Sequence, residues 1–168
     1  MKNNYLKKIL ICVMYSVILF LQEQLLSFIP NFQLSFLLIM LVGSVLGFKW
    51  GNLVLLIYLM LDNLSYGSFM PYVFFPMLIG WEFTLIMGFI FRNFNKYTVS
   101  IIGILCSFIY SWSFIPFSYF FFHIDVVAYF LADIVFEIIL ATSTFLSIIL
   151  LYNPLKKILY NQWEFLCN

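Results

Sequence analysis

Long apolar runs follow one another along almost the whole chain, separated only by short polar, glycine-bearing or proline-bearing breaks. They centre on residues 9–21, 34–48, 53–61, 73–91, 99–114 and 126–152. A helix that crosses a bilayer needs about 20 apolar residues, so six of them with tight turns consume nearly all of the 168 residues. Hydrophobic residues make up 65% of the chain and charged ones 9%, too few to clothe a water-soluble domain, which leaves lipid as the solvent. The expectation is an all-α membrane protein, one integral domain over 1–168, with transmembrane helices near 9–28, 34–48, 51–62, 73–91, 98–115 and 126–152.

The breaks set those ends. Pro30 stops the first helix, because proline lacks a donor and restricts the residue before it. Gly47-Phe-Lys-Trp-Gly51 reads as the turn between the second and third helices, and Gly43 with Ser44 as a place for close helix packing. Asp62-Asn63 closes the third helix, as a loop cap or a ligand contact, and Arg92-Asn-Phe-Asn-Lys96 reads as an exposed turn. Pro116 ends the fifth helix ahead of an aromatic segment, Phe117 to Phe122, suited to a membrane interface. Asn153-Pro154 stops the sixth, and the cytoplasmic tail 155–168 is amphipathic enough to lie along the membrane. Lys7 and Lys8 before an apolar run also fit a signal peptide, but no A-x-A cleavage site follows, so the run is read as a membrane helix.

Basic residues gather on the cytoplasmic side of membrane proteins. With six crossings and a cytoplasmic N-terminus, Lys2, Lys7, Lys8, Lys49, Arg92, Lys96, Lys156 and Lys157 all fall inside, which is every Lys and Arg in the chain. Asp62, His123 and Asp125 fall outside, and five or seven crossings would scatter the bases over both faces. Both termini are therefore expected in the cytoplasm, in a multi-pass protein of the bacterial plasma membrane.

Glu82, Asp133 and Glu137 stand inside apolar helices, where a lipid-facing carboxylate costs several kcal/mol and is turned toward a cavity or a partner. Asp133 and Glu137 share a helix face, at depths of roughly 10 and 16 Å. No base lies at that depth. Either burial keeps the carboxyls protonated, hydrogen-bonded to a neighbouring helix, or a cation from outside completes a pocket. Trp81 and Tyr129 are placed to stack on a flat or cationic ligand, or else to pack as ordinary core rings. Asn63 joins them as a candidate contact.

Cys12, Cys106 and Cys167 are isolated and read as structural, and His123 beside Asp125 lacks the company a metal site needs. No phosphate-binding glycine loop, no G-x-S-x-G and no H-E-x-x-H is present, so the expectation is no enzyme, no cofactor and no nucleic-acid partner. Cys12 and Ser16 form a small-xxx-small pair that lets another helix approach closely.

Six short motifs occur in an order that resembles the substrate-binding S components of energy-coupling factor (ECF) transporters. They are Ile29-Pro-Asn-Phe-Gln-Leu34, Gly47-Phe-Lys-Trp-Gly51, Leu61-Asp-Asn63, Pro76-Met-Leu-Ile-Gly-Trp81, Ala132-Asp-Ile-Val-Phe-Glu137 and Leu151-Tyr-Asn-Pro-Leu155, over about residues 5 to 158. The resemblance implies a six-helix subunit of an ABC-type importer that takes a vitamin or related micronutrient from outside, held among helices four to six beneath outer loops. It also implies partners: a transmembrane coupling protein and two cytoplasmic ATPases. In that family small residues on the first helix contact the coupling protein, and Cys12 and Ser16 match those positions in size but not in identity. The competing reading is a membrane scaffold resembling the rod-shape-determining subunit of cell-wall elongation, for which three acids in one outward cavity would have no use.

Overall fold

The computed structural model describes residues 2–29, 32–65 and 67–167, without the side chains of residues 2–4, 166 and 167. Among the described residues the chain is all helical: α1 (Lys2–Leu26), α2 (Ser35–Val45), α3 (Gly47–Ser65), α4 (Pro71–Ile90), α5 (Lys96–Phe122) and α6 (Val126–Cys167). Pro30, the expected stop of the first helix, and the Cys167 side chain lie outside that description. Four helices are long and apolar enough to cross a membrane: Tyr5–Leu26 of α1, Pro71–Ile90, Lys96–Phe122, and Val126–Phe165 of α6. They present large apolar side chains outward, Leu131 at 64% and Leu150 at 69% exposure among them, as a membrane-embedded protein does. The 11 residues of α2 are too few, and α3 carries Lys49, Asn52, Asp62 and Asn63 and is not among the four.

Pairwise contacts fix the helix directions. Cys12 and Ser16 lie beside Trp50 and Val54, so α1 and α3 run parallel. Phe36 meets Trp81 and Met40 meets Gly88, so α2 and α4 do too. Tyr72 touches Phe122 while Gly80 touches Tyr110, and Lys96 reaches Ile149 while Ser111 reaches Asp133, which makes α4–α5 and α5–α6 antiparallel. One end of the bundle thus gathers the start of α1, the α2–α3 corner, the α4–α5 turn and the end of α6, and with them every Lys and Arg. The other end gathers the end of α1, the start of α2, the end of α3, the start of α4 and the connection at 123–125.

The short α2 is the hub. It touches all five other helices, and Phe36, Leu37, Ile39, Met40, Leu41 and Val42 have no exposed surface. In lipid, apolar burial gains little by transfer, so close packing and hydrogen bonding must hold such a helix. Glycines supply the closeness. A Cβ on Gly88 would stand 2.6 Å from the Met40 carbonyl oxygen, and one on Gly43 would meet the Leu85 carbonyl, so α2 and α4 cross backbone to backbone. The Gln22 amide of α1 seats the start of α2: its Oε1 accepts from Leu34 N at 3.0 Å, and its Nε2 donates to Ser35 Oγ at 2.6 Å.

Three expected helix ends are corrected. Gly47 to Gly51 is the first turn of α3 and not a loop; the break is Leu46 alone, and Gly47 at φ +76° turns the chain where a side chain would be strained. α5 passes through Pro116 to Phe122, where His123 in the left-handed region closes it by donating its N–H to the Tyr119 carbonyl at 3.0 Å. α6 likewise passes through Pro154 to Cys167, so residues 155–167 continue it instead of forming a separate surface segment. A proline deletes one bond of the helix ladder, and packing outweighs that loss here. Ser113 Oγ ties α5 to the Pro76 carbonyl at 2.9 Å, and beyond Pro154 Leu159 stays buried while the Trp163 ring meets Trp50 edge-on at 6.1 Å.

Candidate functional site

The end without bases is hollow. A cavity of about 530 Å³ opens between the end of α1 (Glu23), the α1–α2 connection (Phe32, Gln33), the middle of α5 (Tyr110, Ser111, Phe114) and the first half of α6 (Tyr129, Asp133). Its size suits a small organic solute. Its polar side chains stand on opposing walls, with aromatic faces between them.

One wall is built on the α5–α6 contact. Ser111 Oγ donates to Asp133 Oδ2 at 2.9 Å. One helical turn deeper Glu137 is buried beside Ser111 and Trp112. The spacing of four residues puts both carboxyls on the face that α6 turns to α5, while Ile134, Val135 and Phe136 between them point outward and are exposed. The opposite wall is built on α1, with α3 behind it. The Tyr58 hydroxyl, fully buried on α3, donates to Glu23 Oε2, and Asp62 one turn along α3 is near enough to act on Glu23 through its charge. Glu23 and Asp133 thus line the cavity and Asp62 and Glu137 stand beside them, four of the seven acidic residues in the chain, with no Lys, Arg or His among the described lining residues.

Behind the cavity, Asp62 Oδ1, Asn63 Nδ2 and Trp81 Nε1 are buried without a protein partner. Polar atoms left so in a membrane interior cost several kcal/mol unless water or a solute meets them. Among the described residues no three of His, Cys, Asp and Glu converge to hold a metal ion.

Asp133 and Tyr129 line the hollow, and Glu137 adjoins it. Glu82 is not with them. Trp81 points inward, where its ring lies 4.7 Å from Phe36 and 4.2 Å from Tyr110, and the next residue along a helix is rotated by about 100°, which carries Glu82 to a half-buried flank of α4. Trp81 itself backs Tyr110 instead of facing the cavity, and Asn63 accepts from Met70 N at 3.3 Å, a loop cap. The walls therefore come from α1, α5 and α6, and α4 contributes nothing to the lining.

Glu23 is the residue that sequence reasoning missed. Its signal was the one applied to Glu82, an acid in an apolar helix with no base near it. Cys12 and Ser16 are also corrected. Both are fully buried against α3: Ser16 Oγ donates to the Val54 carbonyl at 2.9 Å and Cys12 Sγ to the Trp50 carbonyl at 3.8 Å. The small-residue seam does admit a close helix, and that helix is the chain's own α3, which leaves no open face there for a coupling protein.

No family model, no curated protein and no solved structure matches this chain.

Proposed function

We propose that the chain is a solute-binding membrane subunit that captures a small cationic or amine-bearing molecule from outside the cell. The observation that carries this reading is the opposition of the two ends: Glu23 and Asp133 on a hollow at one, every Lys and Arg at the other. A buried carboxylate pair without an internal cation is incomplete, and a cation arriving from water completes it at both walls. Tyr110, Tyr129 and Phe114 supply faces for a flat ring or a quaternary nitrogen. In this reading the chain crosses the bacterial plasma membrane six times, with the short α2 as the inner part of the second crossing within a sheath of the others, and the basic end with both termini faces the cytoplasm.

The resemblance to ECF S components extends the proposal: the solute is a vitamin-like micronutrient, and a coupling protein with two cytoplasmic ATPases drives its release inward. The chain's own part is capture, without catalysis. A cell-wall scaffold has no use for opposed carboxylates in a hollow.

Purified protein titrated with an aminopyrimidine or an N-alkylthiazolium probe tests the reading. Binding should appear in the wild type and weaken at least about tenfold in Glu23→Gln and in Asp133→Asn, the loss expected when one charge-assisted bond goes. Both variants should remain inserted and folded. A neutral isostere of the probe binding as well as the cation would overturn the cationic assignment, and undiminished binding in both variants would move the site elsewhere.

A further inference from the structure

At the opposite end, three cations tie the α4–α5 turn and the start of α5 to α6. Lys156 of α6 donates its Nζ to the Arg92 carbonyl in the α4–α5 turn. Lys96, at the start of α5, donates its Nζ to the Ile149 carbonyl of α6 at 3.2 Å, one turn before Pro154 disturbs the helix ladder. The Arg92 guanidinium lies over Phe89, 4.9 Å from its centroid, close enough to Lys156 to repel it. The three are therefore held together by neutral carbonyls and not by acids. Glu164, the only carboxylate on the last stretch of α6, is engaged by the Tyr160 hydroxyl at 2.8 Å.

Arg92 and Lys156, neighbours of like charge, repel one another unless an anion stands between them. An ammonium carries three donors and a guanidinium five, and the two carbonyls accept one from each lysine. The remaining donors suit the oxygens of a phosphate. The surface around the cluster says what carries that phosphate: Ile90, Phe94, Tyr97, Ile101 and Leu150 are all exposed and apolar. A freely dissolved anion has no use for such a strip, whereas the acyl chains of a lipid would lie along it.

We propose that Arg92, Lys96 and Lys156 form a head-group site for an anionic phospholipid, seated between the α4–α5 turn and α6. The site rests on the long helices crossing a bilayer and is independent of the solute captured at the other end. An anionic lipid here clamps α4, α5 and α6 together where Pro154 has weakened the last of them.

Native mass spectrometry of the detergent-purified protein, incubated with equal phosphatidylglycerol and phosphatidylcholine, is the test. Wild type should retain the anionic lipid at least tenfold over the zwitterionic one. R92Q/K156Q should bring that ratio within about twofold of unity, whereas K7Q/K49Q, which removes the same charge from the same end, should leave it unchanged. Glycerol phosphate at millimolar concentration should not displace the lipid. Equal retention of both lipids overturns the site. So does an equal loss in K7Q/K49Q, which would mean diffuse attraction only, or displacement by glycerol phosphate, which would mean a free-anion site. Probe binding in the cavity is read separately on the same variants, so failure of one proposal is not failure of the other.

Discussion

The two ends of this bundle solve the same problem in opposite ways. Each brings like charges together with no opposite charge beside them. At the basic end rings and carbonyls lie against the cations: Lys8 lies over Trp50 and Trp163 at 5.9 and 5.5 Å, Lys156 over Tyr152 at 5.2 Å, and two ammonium groups each give one donor to a backbone carbonyl. At the acidic end hydroxyls engage Glu23 and Asp133, yet a hollow remains between them and three polar atoms behind it have no partner. Rings fill one end, and space fills the other. A polar void of this kind is what the proposed solute site rests on, and it has no counterpart among the rings at the basic end.

The largest expected effect removes the contrast altogether. Gly88→Leu drives a side chain into the Met40 backbone, pries α2 from α4 and should cost more than about 3 kcal/mol, with both ends lost together. Thermal unfolding in detergent would read this; a variant of unchanged stability would show that the crossing is looser than described. Ser16→Leu should cost about 2–3 kcal/mol, because it overpacks the α1–α3 seam and removes the bond to Val54. Since the same seam carries Glu23 on Tyr58, probe binding should fall with stability. Intact stability with binding retained would place that seam elsewhere.

Smaller changes sharpen the comparison by touching one end only. Trp163→Ala removes a ring from the Lys8 and Trp50 cluster and should lower stability by about 1 kcal/mol while leaving cavity affinity unchanged. Tyr58→Phe keeps the ring against Trp81 and deletes only the hydroxyl, so it should weaken a cationic probe several-fold at a stability cost of about 1 kcal/mol. If Trp163→Ala weakened the probe as much as Tyr58→Phe does, the ends would be coupled and the division drawn between them would fail.

Much of the fold was legible because lipid writes plainly: apolar runs became helices, and the segregation of bases foretold which connections share an end. The proline stops misled, since Pro116 and Pro154 each delete one bond and the neighbouring helices hold the rest. The role of α2 was invisible for a physical reason. Lipid-facing and core-facing surfaces are equally apolar, so hydrophobicity does not tell a hub from a rim, whereas Gly43 did mark a close crossing. The site was half legible on the same grounds. Asp133 and Tyr129 were found by depth and spacing, but which way Glu82 turned depended on a rotation about α4 that Trp81 decided by packing inward. Glu23, inside the expected first helix, drew no attention there.

One dimension of the hub carries a consequence for the whole molecule. At about 1.5 Å per residue α2 is roughly 16 Å tall, about half the thickness of a bilayer core, and it is seated toward the basic end. Its five neighbours rise past it, so the central column stops partway and leaves headroom that no side chain of α2 reaches. Adding two turns to the N-terminus of that one helix would plug the vault, and a chain with every other residue unchanged would leave the proposed solute no room.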